Sequence, residues 1–227
     1  MKFVFLHVGD DIRPTLLVRS IRRLLPDSEI IQCSNDKGAR IEGIDRLHLL
    51  DDNITNLMTY RLKSFVDLGL HEPATYLDTD ILLTSIFNSE AILGQSDVAV
   101  CRRTFGIDLL WDTSYKGMNL SEYRGKTLGE VYPYLACFNI TSSSHFWDLC
   151  YKELLSLDPK FHYWFGDQEA IRNVLSSGAC SFIEIPEFHV SCLPEYFHSS
   201  RLPIAVHFKG PERKDFMLAA ARQMGLL

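Results

Sequence analysis

The sequence predicts an α/β protein in which a mixed, mainly parallel central sheet is flanked by helices. Three observations favour this class. The chain opens with a strand, a helix and a second strand; further apolar runs alternate with segments of helical spacing; and no repeat or low-complexity linker interrupts the 227 residues. Such alternation is typical of parallel sheets, because each connecting helix packs against a face of the sheet. We expect one domain over residues 1–227.

The opening elements have clear boundaries. Residues 3–8 form a compact run rich in Val and Phe, which predicts a buried strand. Pro14 begins the next segment, and proline is favoured in the first turn of a helix. Apolar residues then recur at helical spacing over residues 16–25, and residues 29–33 predict a second strand.

The centre of the chain continues this alternation. Residues 47–50 predict a short strand, and residues 56–68 predict a helix that ends at Gly69. Residues 74–77 and 97–101 predict two further strands. The parallel sheet predicted from the opening elements therefore extends through the first hundred residues.

A long segment without periodicity follows over residues 104–133 and is interrupted by several glycines. We expect it to be a loop-rich excursion that covers a substrate, because long irregular segments inside a domain are usually functional. The alternation then resumes, with strands predicted at 135–140, 182–185 and 204–208 and helices predicted at 144–156, 167–176 and 211–224.

Composition argues against several classes of protein. The net charge of −6 argues against nucleic acid or anionic lipid as the main partner. None of the six cysteines has Cys-x-x-Cys spacing, and several lie in apolar runs, which indicates buried thiols in a reducing compartment. The apolar N-terminus is too short for a signal peptide, and no segment has the ~20 apolar residues of a membrane span. We expect a cytoplasmic protein without a transmembrane segment that can contact a membrane peripherally.

The sharpest motif is a pair of carboxylates, Asp78 and Asp80, which follows the strand predicted at 74–77. Open α/β sheets bind ligands at the carboxyl ends of strands, and two acids at such an end can converge on one divalent cation. A cation held there would neutralise a diphosphate group. Two acids that end a strand are also common as a turn or a helix cap, so the motif alone leaves both interpretations open.

A second motif begins at His207, which leaves the apolar strand predicted at 204–208. Neutral imidazole binds Mn-type ions as well as zinc. The following residues include Lys209, Gly210 and Lys214, and cations at such a turn suit a phosphate group. The alternative interpretation is a histidine at the edge of the core beside the start of a helix.

Taken together, these motifs resemble the nucleotide-sugar transferases of the family that contains glycogenin and bacterial lipopolysaccharide galactosyltransferases. The resemblance implies the GT-A fold, Mn²⁺ or Mg²⁺, a donor that is usually UDP-linked, a carbohydrate or glycolipid acceptor hydroxyl, and retention at the anomeric carbon. It covers most of the chain in motif order: Asp10-Asp11, Thr59–Leu62, Leu77–Asp80, Cys137–Asn139, Asp167-Gln168 and His207–Gly210.

The resemblance also implies roles for individual residues. The metal ion would be held by three side chains: Asp78, Asp80 and His207. The reacting sugar would be oriented by three more, which we treat as the catalytic set: Asn139, Asp167 and Gln168. The nucleotide and its phosphates would be contacted by a larger set: Asp10, Arg61, Asp78, Lys209, Gly210 and Lys214.

Several of these residues have structural alternatives. Asp167 precedes a predicted helix and could be its N-cap. Arg61 could lie on a helix surface with its aliphatic stem against apolar neighbours. Four aromatic residues could stack on an acceptor sugar or belong to the core: Trp111, Tyr115, Tyr163 and Trp164.

The chain departs from the family's pattern, so the resemblance is to a divergent branch. The family's Tyr-x-Arg is shortened to Tyr60-Arg61, its Asn-Tyr is replaced by Ile12-Arg13, and its Lys-Pro-Trp ending is absent. Two other functions stay open. One is a non-catalytic nucleotide-sugar-binding protein of the same fold. The other is a phosphatase with an aspartate nucleophile, although Leu82 stands where such enzymes have Thr or Val.

Overall fold

A seven-stranded mixed sheet forms the centre of the protein, beside a separate two-stranded ribbon. The structure is a computed structural model, and it describes residues 1–36, 40–50, 56–112, 120–162, 164–198 and 202–227. The sheet and the ribbon are built from the following strands: β1 (Lys2–Leu6), β2 (Glu29–Ser34), β3 (Arg46–Leu49), β4 (Ala74–Leu77), β5 (Ile81–Leu83), β6 (Val98–Arg102), β7 (Tyr134–Thr141), β8 (Phe182–Pro186) and β9 (Ala205–His207).

The strand order in the large sheet is β3-β2-β1-β4-β7-β6-β8, and β5 pairs with β9 in the ribbon. Within the large sheet, β7 runs antiparallel to both of its neighbours, and the other pairings are parallel. The predicted α/β class with a mixed, mainly parallel sheet is therefore confirmed.

Helices cover both faces of the sheet because its central strands β1, β4 and β7 are buried along most or all of their length. The helices span these residues: α1 (Arg13–Leu24), α2 (Leu57–Leu68), α3 (Ser89–Leu93), α4 (Leu128–Val131), α5 (His145–Ser156), α6 (Gly166–Ser177), α7 (Glu187–Val190) and α8 (Pro211–Gln223). Helices α2, α5 and α6 pack with one face around Tyr76 and Trp147, whereas α1, α3 and the ribbon pack with the other face around Phe138. Among the described helices, none is long and apolar enough to cross a membrane.

Helix α2 begins and ends close to the positions that the sequence predicts. The Asn56 side chain accepts a hydrogen bond from Met58 N at 2.9 Å, and Gly69 ends the helix with a φ of 62°. The other long elements lie close to their predicted boundaries. The sequence does not predict β5, α3, α4 or α7, because three to five residues are too few to establish a periodicity.

The ribbon joins two distant parts of the chain. β5 and β9 are antiparallel, Ile81 pairs with His207, and Phe208 N donates to Asp80 O at 2.8 Å. The residue before β5 and the last residue of β9 are thereby neighbours. This short pairing, rather than the large sheet, brings Asp80 to His207.

The described part of the 104–133 segment packs around a small aromatic cluster of its own. Trp111 is buried there at 8% exposure, and Trp164 packs against the same cluster. Of the two alternatives for Trp111, the structure shows the core position, because its ring is enclosed by Tyr123, Tyr132 and Phe165. The other two aromatic candidates, Tyr115 and Tyr163, lie outside the described residues.

Candidate functional site

Polar side chains gather at one edge of the large sheet, where its parallel strands end. His7 follows β1, Asp78 follows β4, Arg103 follows β6 and Glu187 follows β8. Because β1, β4, β6 and β8 point the same way, these four residues emerge at the same edge. Carboxyl ends of parallel strands are the usual place for ligand sites in such sheets.

Three potential metal ligands meet at this edge. Asp78, Asp80 and His207 each offer one ligand atom, and the three atoms lie within 4.8 Å of one another. His207 Nε2 is 3.1 Å from Asp80 Oδ1 and 3.9 Å from Asp78 Oδ2. Ligands at about 2.1 Å from a single ion are separated by distances of this order. The arrangement can hold one divalent cation, as the resemblance implies.

Charge within this group is arranged in favour of a cation. Burial raises the pKa of Asp78 to about 6. Burial alone would lower the pKa of His207, but the neighbouring Asp80 carboxylate raises it to about 10. His207 in turn holds the pKa of Asp80 well below its usual range, against the effect of burial. In the absence of a metal ion, His207 is therefore protonated at neutral pH, and its positive charge partly neutralises the two carboxylates.

The pKa values predict a pH-dependent metal affinity. His207 must lose its proton to bind a metal ion, and Asp78 is already ionised above pH 6, so binding near neutral pH releases one proton. We expect the affinity for Mn²⁺ to rise about tenfold per pH unit between about pH 6.5 and 8.5. Titration calorimetry in buffers of different ionisation enthalpy measures the released proton. In His207→Gln, this release should disappear. A parent protein whose affinity is independent of pH would contradict the assignment of His207 as a ligand.

Arg61 links the metal group to a second carboxylate. Its Nη1 lies 2.8 Å from Asp78 Oδ1 and 3.6 Å from Asp167 Oδ2, and its side chain is only 11% exposed. The alternative of a surface arginine is therefore excluded. Because Arg61 also lines the cleft described below, it is placed to meet an anionic ligand, but its two carboxylate partners already neutralise it.

Asp167 is buried in the first turn of α6, and it is not the N-cap, a position that Phe165 occupies. A Cβ at Gly166 would collide with the Phe161 carbonyl oxygen, so this close approach of the backbone requires glycine. Burial raises the pKa of Asp167, whereas Arg61 lowers it. The carboxylate therefore depends on Arg61 for its charge.

Gln168 follows Asp167 and has a defined orientation. Its Oε1 accepts a hydrogen bond from Arg103 Nη2 at 2.9 Å, and because arginine has no acceptor, the amide nitrogen must point elsewhere. Arg103 is 8% exposed and also donates from Nε to Tyr132 O at 2.7 Å. Sequence reasoning missed Arg103, which has no motif around it.

Asn139 is not placed to contact a sugar, and this predicted role is corrected. Its side chain is fully buried within β7, where Oδ1 accepts from Cys101 N at 3.2 Å and Nδ2 donates to Leu135 O at 3.1 Å. The pairing of β6 with β7 shifts register between Val100 and Cys101, and the amide bridges one backbone group of each strand beside this irregularity. Asn139 therefore stabilises the sheet.

Lys209 and Gly210, both predicted to contact phosphate, do not line the cleft beside the metal group. Lys209 Nζ forms an ion pair with the fully buried carboxylate of Glu187, so its predicted contact with phosphate is replaced by this pair. Gly210 is the N-cap of α8 with a φ of 86° and does not line the cleft. Lys214, in contrast, lines the cleft, and its Nζ lies 4.0 Å from Asp80 Oδ2.

A cleft of about 230 Å³ adjoins the metal group. Its lining combines the loop after β1, the start of α2 and the turn at Asp78–Asp80. Asp10 is exposed and lies outside this lining, whereas the neighbouring Asp11 belongs to it and pairs with Arg13 at 2.8 Å. The predicted contact of Asp10 with the nucleotide is not supported by this placement, because the sequence does not specify which of two adjacent loop aspartates faces the cleft.

His7 also lines the cleft and was not predicted as a site residue. Its side chain is 5% exposed, and its Nε2 has no hydrogen-bond partner among the described residues. Burial lowers the pKa of His7, so the ring is neutral at pH 7. The sequence predicts a strand through Val8 that includes His7, whereas β1 ends at Leu6; the one sequence signal that could have identified His7 is a polar residue within an apolar run.

Comparisons with known proteins agree on the fold. The sequence matches no protein-family model and no curated protein sequence. The glycosyltransferase GlyE of Streptococcus pneumoniae TIGR4 matches 97% of this chain with a TM-score of 0.63 and 14% identity, and its apo form matches 97% with 0.58 and 12%. The chain spans 59% of the length of these GlyE chains. The galactosyltransferase LgtC, solved with donor and acceptor sugar analogs, matches over the full length of both chains with a TM-score of 0.50 and 15% identity. The GT-A fold implied by the resemblance is therefore confirmed.

Proposed function

We propose that this protein is a metal-dependent glycosyltransferase that transfers a hexose from a UDP-linked donor to a hydroxyl acceptor with retention. One observation carries the proposal: Asp78, Asp80 and His207 converge at the carboxyl edge of a GT-A sheet, although Asp80 and His207 are 127 residues apart in the chain. An aspartate-nucleophile phosphatase is not supported, because Asp78 is engaged by Arg61 at 2.8 Å.

The donor atoms fit a small divalent cation. Two carboxylates and one imidazole suit Mn²⁺, since carboxylates favour hard ions and imidazole favours first-row transition metals. Bound there, such a cation supplies positive charge that stabilises the departing diphosphate. Asp78, Asp80 and His207 would hold it, and Lys214 adds a further positive charge beside Asp80.

The remainder of the cleft suits a nucleoside diphosphate. Arg13 and Arg61 provide donors to an anionic ligand although each is already paired with a carboxylate, and Leu57 and Met58 provide an apolar wall against which a base can pack. The neutral His7 offers an unpartnered Nε2 that can accept from or donate to a polar edge of the base. At about 230 Å³, the cleft is smaller than most ligand sites, so the sugar must extend beyond it along the sheet edge towards Asp167.

The residues beside the sugar favour same-face attack. Gln168 Oε1 is engaged by Arg103, so its oxygen is not free to attack the anomeric carbon. Asp167 is buried next to Arg61 and is better suited to accept a hydrogen bond from a sugar hydroxyl. Without a free nucleophile among these residues, retention requires the acceptor to enter on the face from which the diphosphate departs, with the departing phosphate accepting the acceptor's proton.

A panel of UDP-, GDP-, ADP- and CMP-sugars tests the proposal by thermal unfolding and donor hydrolysis, with and without Mn²⁺. A UDP-sugar at about 100 times its dissociation constant should stabilise the fold by about 2.7 kcal/mol, or about 5–10 °C for a domain of this size. Hydrolysis should require Mn²⁺, and the released sugar should retain its anomeric configuration when followed by NMR. Binding of UDP-sugars without turnover of any donor would instead support a non-catalytic nucleotide-sugar-binding protein, and an inverted product would contradict same-face attack.

A further inference from the structure

The imidazole of His207 has a second polar neighbour on the side away from the acidic pair. Its Nδ1 lies 2.8 Å from the hydroxyl of Ser191, and both residues are buried. The same hydroxyl lies 3.2 Å from the Cys137 sulfur. Ser191 is fully buried and does not line the cleft, so it has no access to a substrate. The Ser191 hydroxyl therefore interacts only with the described protein groups around it, His207 Nδ1 and Cys137 Sγ.

We propose that Ser191 is a positioning residue that fixes the tautomer and the ring orientation of His207. With a metal ion bound and Nε2 deprotonated, the Nδ1–H of His207 would donate to Ser191 Oγ, the Ser191 hydroxyl would donate to the Cys137 sulfur, and the Nε2 lone pair would be available to the ion beside Asp78 and Asp80. The inference rests on the proposed function, because it assumes that His207 binds the metal ion. Second hydrogen bonds of this kind orient most metal-binding histidines and raise their basicity.

The segment that carries Ser191 is itself fixed at several points, which makes it suitable for this role. Helix α7 begins with Glu187, four residues before Ser191, so the two side chains lie on the same side of the turn. Ser191 faces His207, and Glu187 forms an ion pair with Lys209. The single turn of α7 therefore contacts both His207, the last residue of β9, and Lys209, two residues later.

Backbone contacts complete this support. Ile204 N donates to His189 O at 2.6 Å, and His207 N donates to Cys192 O at 2.8 Å. Glu187 also accepts from Thr104 N at 2.9 Å and from Phe105 N at 3.0 Å, which ties α7 to the loop after β6. Since the backbone of His207 is held independently of Ser191, removal of the hydroxyl should release the ring without displacing the strand.

The test measures metal binding in Ser191→Ala by calorimetry and by electron paramagnetic resonance of Mn²⁺. We expect the affinity for Mn²⁺ to fall by about 10- to 100-fold. The matched control is Ser20→Ala, because Ser20 is also fully buried and donates and accepts hydrogen bonds, but it lies on α1 and contacts Leu17 and Leu83. The control should lose a similar amount of thermal stability and keep the parent's affinity for Mn²⁺.

A second variant and a spectroscopic measurement make the test independent of folding defects. Ser191→Cys, kept reduced, preserves the shape of the side chain but is a weaker acceptor, so its affinity should lie between those of the parent and Ser191→Ala. With diamagnetic Zn²⁺ bound, the ¹⁵N-coupled proton on His207 Nδ1 should be sharp in the parent and exchange-broadened in both variants.

The possible outcomes separate the two proposals. If folded Ser191→Ala binds Mn²⁺ as tightly as the parent, or shows the same sharp Nδ1 proton, the positioning role is wrong while the proposed function stands. If the parent binds neither Mn²⁺ nor Zn²⁺, the proposed function fails first and the inference fails with it. A fall in affinity that Ser20→Ala reproduces would assign the effect to general loss of stability and would also overturn the inference.

Discussion

Asp80→Asn is expected to abolish Mn²⁺-dependent donor binding and to lower the rate of sugar transfer by at least about 10³-fold. The substitution keeps the shape of the side chain but removes the carboxylate that lies 3.1 Å from His207 Nε2 and 4.0 Å from Lys214 Nζ. The remaining ligands, Asp78 and His207, carry one negative charge fewer than the parent set and make fewer contacts with a cation. Mn²⁺-dependent thermal stabilisation and the rate of donor hydrolysis together measure the effect.

Asp27→Asn is the matched control for this variant. Asp27 is exposed and follows α1 at the opposite edge of the sheet, just before β2 begins. The control should bind the donor and Mn²⁺ like the parent. If Asp80→Asn and Asp27→Asn behaved alike, the metal site would have to lie elsewhere.

Arg61→Met should produce the largest loss of stability among single substitutions at the site. Arg61 is the ion-pair partner of both Asp78 and Asp167, and its removal leaves two carboxylates with less compensation at positions that exclude most water. Breaking such a pair from one side costs about 3 kcal/mol. Urea denaturation of the metal-free protein measures the loss, and saturating Mn²⁺ should recover part of it because the cation replaces the missing charge.

Arg102→Met provides the comparison, because Arg102 pairs with Glu184 at 3.0 Å on the surface and both side chains are 42% exposed. An exposed pair of this kind contributes about 0–1 kcal/mol. If both variants lost the same free energy of unfolding, the ion pairs of Arg61 would be as well solvated as a surface pair. Arg61 would then not be needed to balance the charges of Asp78 and Asp167.

The sequence was sufficient to predict the parts of the site that lie next to apolar strands. Asp78 follows β4, Asp80 precedes β5 and His207 ends β9, and their residue types suit a cation site. The convergence of Asp80 and His207 was implied by the resemblance but not by the local pattern, because β5 has only three residues and its partner lies far along the chain. The pairing of β5 with β9 is therefore visible only in the structure.

The residues that sequence reasoning misassigned or missed depend on tertiary contacts. Asn139 follows a phenylalanine as the family's motif does, but a register shift between β6 and β7 directs its amide to backbone groups of the sheet. Lys209 is adjacent to the predicted phosphate turn, yet a buried carboxylate 22 residues earlier captures its ammonium. Ser191 has no motif at all. Its role follows from its distance to a ring nitrogen, which no local pattern encodes.

The ribbon of β5 and β9 has a consequence for how the protein matures. Asp80 leaves the ribosome 127 residues before His207, and no contact between them can form until the last third of the chain has emerged. Closing so large a loop for a pairing of three residues is entropically unfavourable, so the ribbon forms after the large sheet has supplied a surface for it. Chains that stop before His207 therefore lack one of the three proposed ligands, and we expect them not to bind the metal ion.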